Sequence, residues 1–261
     1  MTQNAKLKTA IQDKYGAIAE GKSASCCGGG ATTLAGAESL GYSKEQAAVG
    51  AVGADLGLGC GNPIDIARLE AGETVLDLGS GAGFDCLLAA KAVGKTGTVI
   101  GVDFTLSMIE KAQANAAKMG ASIDFRFGEI ENLPVESGSV DAIISNCVIN
   151  LSQNKPRVFA EAFRVLKRGG RLAVSDIVLG AELPAGVRES VEAYVGCVAG
   201  AMLKDEYLQL IRDAGFERIE VVRENRYTGS SGCLPEGVDT QALTQVTSLG
   251  VRAYKPNGNG K

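Results

Sequence analysis

The chain of 261 residues contains no histidine and no tryptophan, and aromatic residues make up only 5% of it. The absence of histidine excludes every mechanism that depends on imidazole. This excludes Ser-His-Asp hydrolysis, Cys-His proteolysis, histidine-based zinc hydrolase sites and proton shuttling through histidine. Any catalysis must therefore use other side chains.

The sequence also lacks a strongly charged face and a long apolar run. Its net charge is −4 with both signs interspersed, which argues against nucleic-acid binding. The first eight residues have no apolar core of signal-peptide length, and no later run approaches a membrane span. We therefore expect a cytoplasmic monomer without nucleic-acid or membrane partners.

Seven cysteines stand out against these absences. A chain of this size without a signal peptide does not fit a secreted disulfide framework, so the thiols are expected to be reactive, metal-binding or buried. The spacing Cys-x-x-Cys is absent, which counts against a structural zinc site.

The most informative stretch is TVLDLGSGAGFD, residues 74–85, which predicts a buried strand, a glycine turn and the start of a helix. Gly79, Gly81 and Gly83 lack a Cβ, so the chain can lie close against a ligand there. The pattern G-x-G-x-G differs from the dinucleotide fingerprint G-x-G-x-x-G, which argues against a pyrophosphate. Asp103 ends the next apolar run roughly 20 residues later, where an acid meets ribose hydroxyls.

Beyond residue 73, strand-like apolar runs alternate with amphipathic helical patterns, which predicts a doubly wound, mostly parallel α/β sheet. A helix over 7–16 is expected to act as a lid, and the helix after Asn154 is expected to end in the basic residues Lys167 and Arg168. Further helices are predicted over 188–198 and 204–214. Strands are predicted over 74–78, 98–102, 122–127, 140–145, 170–176, 218–222 and 246–254.

Four cysteines have settings that suggest different fates. Cys60 precedes Asn62-Pro63, a helix start whose dipole would favour the thiolate. Cys147 follows the fourth strand at the carboxyl edge of the sheet, where catalytic groups collect. Cys86 is expected to be a small buried hydrophobe, and Cys233 a loop thiol without a role.

Several motifs carry a resemblance to known families. The segment DLGSGAG, residues 77–83, followed by Gly101-Val102-Asp103, resembles the first two motifs of the class I methyltransferases that use S-adenosylmethionine. The segments LGCGNP (58–63), SNCVINL (145–151) and GCVAGA (196–201), with a cysteine-containing arm before them, are similar to the arsenite S-adenosylmethionine methyltransferases over essentially the whole chain.

The resemblance implies a Rossmann-like fold with an N-terminal helical arm, a C-terminal α+β extension, and S-adenosyl-L-methionine as cofactor. It makes Cys147 and Cys197 the main ligands of trivalent arsenic and Cys60 a third thiol, while Cys26 or Cys27 stands for the family's N-terminal cysteine, with the choice between them open. The cofactor-binding residues it implies are Asp77, Gly79, Ser80, Gly81, Gly83, Asp103, Phe104, Glu129, Ile130 and Asn146. The implied partners are arsenite or thiol-conjugated arsenite and a cytosolic thiol reductant of the thioredoxin or glutathione type.

The expected organisation has four parts. An N-terminal helical arm with a Cys/Gly-rich loop covers 1–61, and the cofactor-binding core covers 62–180. A substrate-binding extension that includes the last strands covers 181–255, and a disordered tail covers 256–261.

The residue types suit this chemistry, since trivalent arsenic is soft and prefers thiolates. Its lone pair can attack a sulfonium methyl group without a general base, so this mechanism does not require histidine. Two alternatives stay open: a general C-, N- or O-methyltransferase, which would tolerate loss of the cysteines, and a non-enzymatic thiol protein for soft metals, which would not need Asp103 or the glycine loop.

Overall fold

The computed structural model describes residues 3–23, 34–183, 185–188, 190–226 and 245–258, and in this part of the chain seven strands form one sheet. The strands are β1 (Thr74–Leu78), β2 (Thr98–Asp103), β3 (Asp124–Phe127), β4 (Val140–Asn146), β5 (Leu166–Leu179), β6 (Glu217–Arg226) and β7 (Val246–Tyr254). The α-helices are α1 (Gln3–Ala19), α2 (Leu34–Ser39), α3 (Lys44–Val49), α4 (Pro63–Ala67), α5 (Phe84–Val93), α6 (Leu106–Met119), α7 (Lys155–Val165), α8 (Ala185–Arg188), α9 (Val191–Val195) and α10 (Lys204–Asp213).

The sheet has the order β3-β2-β1-β4-β5-β7-β6, in which β1 to β5 run parallel and β7 runs antiparallel to both of its neighbours. The predicted mostly parallel α/β fold is therefore confirmed. The strand order reverses between β1 and β4, and such a switch point is where open α/β sheets bind ligands. The glycine turn and Cys147 leave the sheet at this point.

The register brings these two segments to the same edge. Leu78 at the end of β1 pairs with Ser145 near the end of β4, so the chain leaves both strands side by side. Leu76 and Leu78 pack into the core on one face of the sheet, and Val75 packs into the core on the other face. Burial on both faces is typical of a parallel sheet covered by helices, and it holds the switch point rigidly.

Two of the predicted helices end elsewhere in the structure. The helix α7 ends at Val165, because Leu166 already pairs with Val140 in the sheet; Lys167 and Arg168 lie in β5, not in a last helical turn. The single helix predicted over 188–198 is replaced by α8 and α9, and Cys197 lies beyond them with φ 65°. A left-handed residue cannot continue a right-handed helix.

The N-terminal helix α1 is longer than predicted and packs against α6 and α9, with Ile11 and Ile18 buried. It therefore lies along the carboxyl edge of the sheet. Among the described residues, no helix is long and apolar enough to cross a membrane.

Candidate functional site

The glycine turn after β1 has the conformation that its sequence predicts. Gly79, Gly81 and Gly83 have φ values of 65°, 51° and 90°, which side chains other than glycine rarely adopt. A Cβ on Gly79 would lie 2.4 Å from Val148 Cγ2, whereas a Cβ on Gly81 would meet nothing within 4 Å. Gly79 is thus required by close packing, and Gly81 borders open space.

Asp103 at the end of β2 closes this turn. Its carboxylate accepts hydrogen bonds from the backbone N–H of Gly81 at 3.0 Å and of Thr105 at 2.8 Å. Burial raises the pKa of Asp103, and these hydrogen bonds oppose the rise. These hydrogen bonds hold the Asp103 carboxylate against the glycine turn, whose backbone would face a ligand.

A continuous cleft surrounds the turn, because Gly79 lines three adjoining hollows. Most of the cofactor-binding residues implied by the sequence line it, while Gly83 lies behind the loop as the N-cap of α5. The first hollow contains Asp77, Ser80, Gly81 and Asn146, and the second contains Asp103, Phe104, Glu129 and Ile130. The third hollow extends to Cys147.

One wall of the cleft carries two buried acids, Asp77 and Asp85. Burial raises the pKa of Asp85 to about 6, and burial followed by repulsion from Asp85 raises the pKa of Asp77. Tyr42 Oη and Asn146 Nδ2 donate to Asp85 at 2.7 and 3.0 Å. Sequence reasoning missed Asp85 and Tyr42, although Asp85 stands in the first helical turn after the loop.

The cleft suits S-adenosylmethionine, which carries positive charge on its sulfonium and amino groups. A cation against Asp77 and Asp85 would relieve their mutual repulsion. Ser80 Oγ is buried without a hydrogen-bond partner among the described residues, so it is available to a polar ligand. The donor and acceptor groups present therefore fit this cofactor.

Three cysteines that are far apart in the sequence meet beside the cleft. Cys197 Sγ donates to the carbonyl of Cys147 at 2.9 Å, and Cys60 Sγ donates to the carbonyl of Ser175 at 3.4 Å. All three cysteines belong to one buried cluster, and the sulfur atoms of Cys60 and Cys147 lie within 4.8 Å of each other. Cys147 and Cys197 have φ values of 61° and 65°, a strained conformation that clusters at functional sites.

The expected thiolate character of Cys60 is wrong for this structure. Burial is the largest influence on Cys60 and raises its pKa, since only 4% of the residue is exposed. The adjacent helix α4 has only five residues, and its dipole does not outweigh the loss of solvation. The pKa of Cys147 is also raised, chiefly by its hydrogen bond with Cys197.

Asp176 is a fourth member of this pocket that sequence reasoning missed. The Cys60 and Cys147 sulfur atoms and a carboxylate oxygen of Asp176 all lie within 4.8 Å of one another. Asp176 accepts hydrogen bonds from Asn150 Nδ2 at 2.8 Å, from its neighbour's backbone at 2.9 Å and from Tyr207 Oη at 3.1 Å. In the sequence it reads only as a strand residue, so no local signal marks it.

Asp176 is expected to make stability fall as the pH rises from about 4 to about 7. Burial raises the pKa of Asp176 to about 7, whereas an aspartate in an unfolded chain titrates at about 3.9. Between these values the folded protein keeps a proton that the unfolded chain has lost, so rising pH favours unfolding. Urea unfolding of Asp176→Asn at several pH values should show a flatter profile; an unchanged slope would contradict this assignment.

Asn146 connects the thiol pocket to the cofactor cleft. Its Oδ1 accepts from the backbone N–H of Cys60 at 3.0 Å, and its Nδ2 donates to the carbonyl of Gly61 at 2.9 Å and to Asp85. One amide side chain thereby touches the acidic wall of the cleft and the loop that carries Cys60.

Helix α1 lines the second and third hollows of the cleft. Lys8 forms an ion pair with Glu129 at 2.7 Å, and Gln12 donates to the carbonyl of Phe104 at 3.0 Å. At the other end, Tyr15 Oη lies 4.0 Å from Cys197 Sγ. This placement is consistent with the expected lid.

Of the remaining cysteines, the structure describes Cys86. Cys86 is fully buried, as expected, and donates to Asp77 Oδ2 at 3.2 Å. Cys26, Cys27 and Cys233 lie outside the described residues.

Comparison with known proteins identifies the family of the chain. The family model described as "Methyltransferase domain" matches residues 69–215. An arsenite methyltransferase of Halobacterium salinarum is 47% identical over 84% of this chain, and the human arsenite methyltransferase is 37% identical over 59% of it. The chain spans 59% and 44% of those two proteins.

Solved structures give the same result. The arsenic (III) S-adenosylmethionine methyltransferase CrArsM of Chlamydomonas reinhardtii is 35% identical, with a TM-score of 0.66, and the match covers 78% of this chain and 69% of that one. The chain therefore belongs to the methyltransferase-domain family, and within that family it resembles the arsenite methyltransferases.

Proposed function

We propose that this protein transfers methyl groups from S-adenosylmethionine to trivalent arsenic held by cysteine thiolates. The observation that carries the proposal is the meeting of Cys60, Cys147 and Cys197 beside a glycine-loop cleft. The arsenite methyltransferases among the relatives support it.

The cleft residues would hold the cofactor, which supplies an electrophilic methyl group on sulfur when it is bound. Asp103 would accept from the ribose hydroxyls, and Glu129 and Ile130 would border the adenine. Asp77 and Asp85 would offset the positive charge of the cofactor, and the glycine loop leaves room for it to approach the backbone.

The thiols would bind the substrate by exchanging its ligands. When arsenite enters as As(OH)₃, each Cys–S–As bond replaces an As–OH bond, and the thiol proton leaves with the hydroxide as water. When arsenite enters as a thiol conjugate, the proton passes to the departing thiolate. Neither route needs a general base. The buried thiols can therefore start protonated, and arsenite can bind without any histidine in the site.

The remaining task of the protein is alignment. Productive transfer needs the arsenic lone pair within about 3–3.5 Å of the methyl carbon. Holding arsenic through several thiolates at the cleft restricts its position, and helix α1 across the cleft excludes water. A small-molecule methyltransferase acting on oxygen or nitrogen would have no use for this thiol cluster.

The test is methyl transfer from labelled S-adenosylmethionine, with arsenite supplied or omitted. Label should appear in methylated arsenic only when arsenite is present. Equal label incorporation into an oxygen or nitrogen acceptor without arsenite would favour the general methyltransferase. Arsenite binding without any transfer, in protein shown to bind the cofactor, would favour a thiol protein for soft metals.

A disulfide is expected to form during turnover without added reductant. Methylation through the lone pair raises arsenic formally to the pentavalent state, and return to the trivalent state takes two electrons. Cys60 with Cys26 or Cys27 can supply them by forming a disulfide, which a cytosolic dithiol of the thioredoxin or glutathione type would reopen. Peptide mapping should find Cys26–Cys60 or Cys27–Cys60; free thiols after a full round of product formation would refute this step.

We further propose the four-part division at residues 61/62, 180/181 and 255/256, in which the middle part binds the cofactor and the third part contributes Cys197. The cytoplasmic location and the monomeric state stay predictions.

A further inference from the structure

We propose that the thiol pocket is also a binding site for a divalent cation of the Zn²⁺ or Cd²⁺ type, held by the thiolates of Cys60 and Cys147 and the carboxylate of Asp176. Their donor atoms lie within 4.8 Å of one another. A tetrahedral zinc ion bonded to two sulfurs at about 2.3 Å holds them roughly 3.8 Å apart. Closure by about 1 Å therefore completes three bonds to the ion.

Asp176 is the ligand that distinguishes binding of a divalent cation from binding of arsenite. Trivalent arsenic prefers soft sulfur donors and gains little from a carboxylate. Zinc accepts sulfur and carboxylate oxygen together in one tetrahedral site. Cys197 belongs to the same buried cluster and donates to the carbonyl of Cys147, but it lies outside this set of three donors.

The carboxylate of Asp176 is already held as a metal-binding carboxylate usually is. Its Oδ1 accepts two hydrogen bonds, from Asn150 Nδ2 and the backbone of Ile177, and its Oδ2 accepts one from Tyr207. A carboxylate has about four acceptor positions, and Oδ2, which accepts only the bond from Tyr207 among these three, is the oxygen with room for an ion. Hydrogen-bonded support of this kind orients ligands and strengthens metal binding.

The charges and protons balance without any further reactant. Binding of M²⁺ releases the two thiol protons to solvent, and also the proton of Asp176 where that carboxyl is protonated. Two thiolates and one carboxylate then neutralise the double positive charge and leave one negative charge on the site. The cation reaches the pocket through the hollow that extends from Gly79 to Cys147. Because it occupies Cys60 and Cys147, it excludes arsenite.

The test is titration of the reduced full chain with Cd²⁺, followed by the ultraviolet band of thiolate-to-cadmium charge transfer. Asp176→Asn should weaken Cd²⁺ binding by about 10- to 100-fold and weaken arsenite binding far less, because arsenic takes its protein ligands from sulfur. The matched control is Asp141→Asn, at the opposite end of β4, which should change neither. Equal Cd²⁺ affinity in wild type and Asp176→Asn would overturn the proposal, and so would an equal loss of Cd²⁺ and arsenite binding.

A second measurement needs no variant of Asp176. The ¹¹³Cd chemical shift of the wild-type protein depends on how many sulfur atoms bind the ion, and a shift typical of mixed sulfur and oxygen ligands is expected. A shift typical of sulfur ligands alone, or no protein-bound signal, would overturn the proposal. These readouts do not involve methyl transfer, so they succeed or fail independently of the arsenite methylation proposed above.

Discussion

Replacing Cys147 or Cys197 by serine should lower arsenite methylation by about 100-fold or more. Each change removes one of a few thiolate ligands, and even a lost supporting contact costs about 10- to 100-fold in the affinity of a metal site. Serine keeps the size of the side chain and the hydrogen bond to the carbonyl of Cys147 in the case of Cys197. The measurement is product formation from labelled cofactor at arsenite concentrations below saturation.

Cys86→Ser is the matched control for these two variants. Cys86 is as buried as they are and donates to Asp77, and a serine hydroxyl can donate there in its place. Its activity should stay close to that of the wild type. Full activity in Cys147→Ser would refute the thiolate site outright, whereas a similar fall in all three variants would point to damaged packing.

Asp103→Ala should weaken binding of S-adenosylmethionine at least about tenfold, which corresponds to about 1.4 kcal/mol. The change removes the proposed acceptor of the ribose hydroxyls and also the carboxylate that fixes the backbone of Gly81. Calorimetry with the cofactor alone measures this without arsenite. Arsenite affinity should change less, because Asp103 does not touch the thiols.

Asp124→Ala provides the comparison for the loss of an acid on the neighbouring strand, away from the carboxyl edge of the sheet. Asp124 begins β3 and pairs with Arg126 at the surface. Cofactor affinity should be unchanged in this variant. If Asp103→Ala binds the cofactor as tightly as Asp124→Ala does, the assignment of Asp103 is wrong.

Much of the fold could be predicted because its signals are local. The strand β1 and the strand β7 coincide with the predicted ranges, since each is a run of apolar residues bounded by turn residues. The end of α7 could not be predicted, because pairing of Leu166 with a distant strand decides it. Long-range pairing overrides a local stop signal.

The candidate site divides in the same way. Gly79 and Asp103 are visible in the sequence because loop geometry and spacing mark them. Asp176 and Tyr42 are invisible there, because their importance comes from neighbours that are distant in the chain. The raised pKa of Cys60 was also hidden, since burial depends on the packing of the whole domain and not on the helix that follows it.

The Asn146 side chain imposes a thermodynamic relation between the two halves of the site. Any shift of this amide upon cofactor binding is transmitted to the backbone of Cys60 through a single hydrogen bond. Linkage then requires reciprocity: the factor by which one ligand alters the affinity of the other is the same in both directions. If the cofactor binds first, it changes the affinity for arsenite by a certain coupling free energy. If arsenite binds first, it changes the affinity for the cofactor by the same amount. The order of addition can therefore affect rates but not the stability of the ternary complex.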